Sequence, residues 1–193
     1  MPAPVTYWPD FSTGLGDLDT IFETLLTELE WERRPGAPRS EFYANDTPAP
    51  YTYGTGEHAR TYLPRPWHPL MLTIRHQLED RLGCDMDVCF LNLYRGPRDW
   101  LGWHSDDSPE MDPARPIATI SYGAERAIEF RPIDDRVAAP ESLTLTNGSA
   151  AIMAAGMQQT WQHRIPKSGA VVGPRISLTF RGFVDLGPQV SRK

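Results

Sequence analysis

The sequence predicts a mostly β, α+β domain, in which two amphipathic helices precede an antiparallel sandwich or barrel. Three observations carry that reading. From Met86 onward, short β-rich runs recur with turn residues between most of them. The 19 prolines and 15 glycines are scattered rather than clustered, as expected of many short elements joined by turns. Helical spacing of apolar residues is confined to two segments in the first half of the chain.

In chain order, Leu18, Ile21, Phe22, Leu25, Leu26 and Leu29 recur at three- and four-residue intervals, which predicts a helix from about Leu15 to Trp31 with its acids outward. Glu32 to Pro66 breaks into pieces rich in Tyr, Thr, Pro and Gly, the texture of hairpins or mobile loops. Leu70, Ile74 and Leu78 predict a second helix over Pro69–Leu82, closed by Gly83. The predicted strands are Val88–Tyr94, Ile117–Tyr122, Ala127–Phe130, Ser142–Thr146, Ala150–Met153, Thr160–Ile165 and Ile176–Phe183. No repeat or linker argues for a second unit, so residues 1–193 are expected to form one domain.

Composition narrows the function classes. A hydrophobic share of 40% with 23% charged residues is that of an ordinary globular chain. No apolar run approaches the roughly 20 residues of a membrane span, and the N-terminus has no basic or apolar signal region. Cys84 and Cys89 are too few for a disulfide framework, which suits reduced thiols and a cytoplasmic, non-membrane protein, expected as a monomer. The net charge of -6 is unfavourable to a nucleic-acid partner taken as a whole, but seven of the acids lie in residues 1–32, where there is no Lys or Arg. Without them the charge is +1, with all 19 basic residues in the remainder, which leaves room for a local basic face.

The chemistry concentrates in three places. In Trp103-His104-Ser105-Asp106, an extended backbone aims residues i and i+2 the same way, so His104 and Asp106 can present an imidazole and a carboxylate to one point. His163, in the strand-like run Thr160–Ile165, supplies a second imidazole. Two histidines and one carboxylate form a facial triad that leaves coordination positions open, as iron(II) requires, and neither cysteine has zinc-ligand spacing. The third place is Arg175-Ile-Ser-Leu-Thr-Phe-Arg181. Alternation puts Arg175, Ser177, Thr179 and Arg181 on one face, and buried guanidinium groups call for an anion. A dicarboxylate such as 2-oxoglutarate meets that need.

With those residues in place, the chain resembles the AlkB family of nucleic-acid dealkylating dioxygenases, over about residues 51–183. The likeness is densest from Asn92 and Tyr94 through His104-Ser-Asp106-Asp107, and again from Trp161-Gln-His163 through Arg175–Arg181. The resemblance implies a double-stranded β-helix (jelly-roll) core, with the N-terminal helices packed against one sheet. It implies iron(II) held by His104, Asp106 and His163, and 2-oxoglutarate held by Asn92, Tyr94, Arg175, Ser177 and Arg181. It implies oxidation of an N-methyl group on a base of DNA, single- or double-stranded, or of RNA, with release of formaldehyde, succinate and CO2. A substrate lid is implied at about residues 40–66, with Tyr53, Tyr62, Trp67, Trp103, Asp107 and Ser108 as substrate contacts.

Two departures from the family pattern stand out. Ser177 replaces an asparagine, which removes an amide but keeps a hydroxyl in the cosubstrate pocket. Ser108 stands where repair enzymes of the family usually carry a base-contacting acid, with Asp107 and Glu110 as alternative acids nearby. The lid is also short between Gly54 and Tyr62. Other readings are a dioxygenase of the same fold acting on a free nucleotide, a protein or a small metabolite, and a non-catalytic nucleic-acid-binding domain.

Overall fold

The computed structural model describes residues 2–48, 50–53, 59–135, 137 and 139–184, except the side chain of Tyr53. Two antiparallel sheets face each other, and two helices cover the outer side of the larger one. That sheet has the strand order β1-β10-β7-β12-β5-β2, formed by β1 (Val5–Trp8), β2 (Ser40–Asn45), β5 (Val88–Tyr94), β7 (Ile117–Gly123), β10 (Ala150–Met153) and β12 (Arg175–Arg181). The smaller sheet has the order β6-β11-β8-β9, formed by β6 (Leu101–His104), β8 (Arg126–Pro132), β9 (Glu141–Leu145) and β11 (Trp161–Ile165). A separate hairpin pairs β3 (Tyr51–Tyr53) with β4 (Arg60–Tyr62). This is the double-stranded β-helix that the resemblance implies.

Alternation sorts the side chains of the large sheet into two populations. Leu91, Leu93, Ile120, Ile152, Ile176, Leu178 and Phe180 meet Ile21, Phe22 and Leu25 of α1 (Leu18–Glu28) and Met71, Ile74 and Leu78 of α2 (Pro69–Leu82) in one apolar core. The opposite face carries the polar set Asn92, Thr119, Ser121, Arg175, Ser177, Thr179 and Arg181, all buried against the smaller sheet. One strand thus packs an oily layer with one side and builds a polar site with the other. The pairing Arg175↔Tyr94, Ser177↔Asn92, Thr179↔Phe90 sets β12 and β5 in register across that site.

The second helix matches its sequence limits, with Pro69 at its start and Gly83 at φ 69° as its left-handed cap. The first is shorter than the expected 15–31 span. Gly14 and Gly16 hold positive φ, Asp17 then accepts from the Thr20 amide at 2.9 Å as N-cap, and Leu29 is already extended. Trp31 donates its indole N–H to the Leu25 carbonyl at 3.1 Å and so satisfies part of the helix end. The segment read as loops and lid, Glu32–Pro66, contains β2, a full strand of the large sheet. That strand shows no apolar–polar alternation because each face carries an aromatic, Phe42 toward the helices and Tyr43 toward the site beside the buried Glu41 and Asn45. Both cysteines are free thiols, and among the described residues no helix is long and apolar enough to cross a membrane.

Candidate metal centre and cosubstrate pocket

His104 ends β6, His163 lies in β11, and the two residues are paired directly across the strands. Asp106 follows β6, its amide tied at 3.0 Å to the side-chain oxygen of Gln158. One ligand atom from each of the three residues lies within 4.8 Å of the others. The His104 Nε2 to Asp106 Oδ1 distance is 3.7 Å, and His163 Nε2 is 3.9 Å from Asp106 Oδ2. His104 Nδ1 faces the Gly102 carbonyl at 2.8 Å, which places the ring proton there and leaves the Nε2 lone pair for a metal.

The electrostatics suit a divalent cation. Burial alone would raise the Asp106 carboxyl, but Arg181, with His104 and His163, outweighs it and holds the group well below the usual carboxylate range. Burial lowers both imidazoles, His163 to about 3, so each is neutral and able to donate a lone pair. Two neutral imidazoles and one fixed carboxylate are the donor set of a facial triad, and the site fits iron(II).

Arg181 and Arg175 occupy different settings on the same strand face. Arg181 is bonded to Asp106 Oδ2 through Nε at 3.1 Å and Nη2 at 2.8 Å. Arg175 is fully buried and donates from Nη2 to Ser121 Oγ at 2.8 Å. Among the described residues no acceptor meets its buried Nε and Nη1 in hydrogen-bond geometry, and Tyr94 lies beside it, with the guanidinium 5.3 Å from the ring centre. Burial lowers the Arg175 pKa to about 10. A buried cation with open N–H groups is the demand that an anionic cosubstrate satisfies, so the residues also fit 2-oxoglutarate.

A pocket enclosing about 330 Å³ opens at the metal, lined by Arg39, Tyr51, Tyr62, Phe90, Asn92, Leu101, His104, Asp106 and Arg181. Arg39 is a residue that the sequence did not single out. Its Nε donates to Asn92 Oδ1, and its Nη2 pairs with the buried Glu41 at 2.8 Å. The Tyr62 hydroxyl donates to the other Glu41 oxygen at 3.0 Å. Above this layer, the Tyr62 ring meets Phe90 edge-on at 4.8 Å and stacks on Tyr51 at 6.3 Å. A second cavity of about 800 Å³ shares Asp106 and Arg181 with the first and is lined by Asp107, Ser108, Met111, Gln158 and others.

The expected site residues do not all converge. His104, Asp106, Asn92, Arg181 and Tyr62 line the pocket, His163 joins His104 and Asp106 in the triad, and Tyr94, Arg175 and Ser177 lie on the same sheet face as Asn92 and Arg181. Ser108 and Asp107 border the second cavity, and the Ser108 hydroxyl lies 3.0 Å from that of Tyr51. Trp67, expected against a base, instead stacks on Phe180 in the helix-side core, 6.4 Å between ring centres, because it precedes α2 on the far side of the large sheet. Trp103, expected to contact the substrate, lies outside the lining of the pocket at the triad. Alternation along β6 turns it away from His104, and its ring lies between Arg131 and Arg164. The Tyr53 side chain, Gly54 and His58 lie outside the described residues.

Comparison with known proteins agrees with this geometry. The 2OG-Fe(II) oxygenase superfamily model matches residues 7–181. The chain is 35% identical over 187 residues to alpha-ketoglutarate-dependent dioxygenase alkB homolog 3 of Bos taurus, covering 86% of this chain and 62% of that protein. It is 30% identical over 185 residues to the human DNA oxidative demethylase ALKBH2, covering 87% and 69%. It spans 62–65% of the length of the alkB homolog 3 relatives from cattle, human, mouse and rat. The solved structure of OsALKBH1 shares the fold, with a TM-score of 0.66 at 16% identity over 94% of this chain and 99% of that one. The facial triad, the arginine-bearing strand and the family match together make this chain a member of the AlkB family within the 2OG-Fe(II) oxygenase superfamily.

Proposed function

We propose that this protein is an iron(II)- and 2-oxoglutarate-dependent dioxygenase that removes N-methyl groups from nucleic-acid bases. The observation that carries the dioxygenase reading is the pairing of the triad with Arg175, a buried cation whose Nε and Nη1 meet no acceptor among the described residues. The substrate reading rests on the aromatic walls of Tyr51, Tyr62 and Phe90 beside His104, on the resemblance, and on the nucleic-acid activity named for one relative.

Iron(II) held by the triad, with 2-oxoglutarate and dioxygen, supplies the oxidising power that turns an N-methyl group into formaldehyde. The chain's part is placement and charge. Arg181 keeps Asp106 ionised, and the Gly102 carbonyl fixes the His104 tautomer. Arg175, with Tyr94 and Ser121 beside it, receives the distal carboxylate of the cosubstrate, while Asn92, held by Arg39, lies near the chelating end. Ser177, across from Asn92, lends a hydroxyl in place of the family's amide. A base flipped out of a strand enters between the aromatic rings, which stack on it and exclude water.

The test measures formaldehyde and succinate from iron-loaded protein with oligonucleotides carrying 1-methyladenine or 3-methylcytosine, comparing single-stranded DNA, duplex DNA and RNA. Stoichiometric formaldehyde and succinate support the reading. A second reading, the same chemistry on a free nucleotide, protein or metabolite, is favoured by Ser108, whose hydroxyl is engaged with Tyr51 where an acid would meet a base. Succinate release with no base repair supports that alternative. No 2-oxoglutarate turnover with any substrate removes both.

A further inference from the structure

The outer face of the smaller sheet, away from the metal, carries a basic and aromatic groove that the site described above does not use. It encloses about 740 Å³ and is lined by Trp100, Leu101, Gly102, Trp103, Arg164, Pro166 and Lys167. We propose that this groove is a track for the nucleic-acid strand flanking the reacting base, with Trp100 as a stacking platform and Arg164 and Lys167 as phosphate contacts. The proposal rests on the nucleic-acid reading above and adds where the rest of the strand lies.

Three features argue for a built surface. The Trp103 ring is held between two guanidinium groups, Arg131 at 4.2 Å and Arg164 at 4.6 Å from its centre. Trp100, one of few large apolar side chains left exposed at 40%, has the Lys167 ammonium 5.7 Å from its ring. Among the described residues, Arg164 pairs with Glu129 at 2.6 Å, while no carboxylate lies within ion-pair distance of Arg131 or Lys167 and the buried Arg131 Nε meets no acceptor. Cations interleaved with indole rings match a polyanion whose bases carry π faces.

The walls are also fixed in advance. Arg126 is buried and donates to the carbonyls of Gly96 at 3.3 Å, Asp99 at 2.9 Å and Pro166 at 2.5 Å. It thereby ties the loop that carries Trp100 to the turn that carries Lys167. The Ser168 amide reaches the Pro97 carbonyl at 2.9 Å and adds a second tie. Gly102 admits the Trp100 ring, since a Cβ there would lie 3.1 Å from it. Finally, Leu101 lines both this groove and the pocket at the triad, which brings the two openings close together along β6.

The experiment measures binding of an unmodified, fluorescein-labelled thymidine dodecamer to the metal-free full chain by anisotropy. Variants are Trp100→Ala, Lys167→Ala and, as a charge-matched control on α2, Arg81→Ala. The proposal expects about ten-fold weaker binding for Trp100→Ala and a salt slope lower by about 0.7 for Lys167→Ala, with Arg81→Ala unchanged. Equal binding by all variants, an equal loss in the control, or tighter binding of polyglutamate than of the dodecamer overturns it. A wild-type chain that binds no oligonucleotide also overturns it. Formaldehyde release from a methylated trinucleotide, too short to fill both pocket and groove, separates that failure from failure of the demethylase reading.

Discussion

Arg181 aims two N–H groups at one oxygen of Asp106, so the arginine expected to face the cosubstrate also holds the metal's carboxylate. Both side chains are buried, and the charge of each is compensated chiefly by the other. Replacing Arg181 with Met leaves a carboxylate unpaired in a dry site, which is expected to cost about 3–5 kcal/mol of apoprotein stability. Urea unfolding of the metal-free chain measures this. Arg181→Lys keeps the charge but loses the fork and should fall between the two. A Met variant as stable as the wild type would show that the pair does not carry Asp106.

Arg175 predicts the opposite sign. It is a buried cation with two open N–H groups, so without cosubstrate it is a burden on the fold. Arg175→Met should leave the apoprotein unchanged or about 1–2 kcal/mol more stable. The same substitution should raise the KM for 2-oxoglutarate about a hundred-fold, because a charge-assisted carboxylate contact is lost. A large loss of apoprotein stability with an unaltered KM would assign Arg175 to the core instead.

The Tyr51–Ser108 contact links the β3–β4 hairpin to the loop that follows Asp106, at 3.0 Å between hydroxyls. Ser108→Ala and Tyr51→Phe should each raise the KM for a methylated oligonucleotide about five-fold and leave that for 2-oxoglutarate alone. The double variant should match either single one, since both break the same bond. Additive losses would mean that the two residues act separately.

Alkaline stability follows from buried tyrosines. Burial pushes Tyr43 and Tyr122 up to about 12 from an ordinary value of 10.0. Their raised folded values mean that the unfolded chain loses phenolic protons first. Stability is therefore unaffected by these groups below pH 10 and falls between pH 10 and 12. Tyr43→Phe should flatten that fall when thermal melting is followed against pH. An identical alkaline slope in the variant would remove Tyr43 from the account.

Much of this was legible in the residues. Period-two alternation in Arg175–Arg181 specified a polar face and an oily face, and the fold buries both, one against the helices and one against the smaller sheet. His104 and Asp106 were legible because near-extended backbone aims i and i+2 together, and the Pro69 and Gly83 punctuation defined α2 to the residue. Those signals are local, carried by neighbours along the chain. The sequence could not show which side of its sheet an aromatic residue would occupy: Trp67 went to the core and Trp103 to the outer face because strand position and parity, not residue type, decide it. Nor could it reveal β2, which carries Phe42 on one face and Tyr43 on the other and so shows no alternation, or Arg39, which reaches Asn92 only once β2 pairs with β5. The sequence determined the candidate triad, the arginine strand and the fold class. Tertiary structure decided the rest, by bringing residues 53 positions apart into one hydrogen bond and by dividing the aromatic side chains among pocket, core and groove.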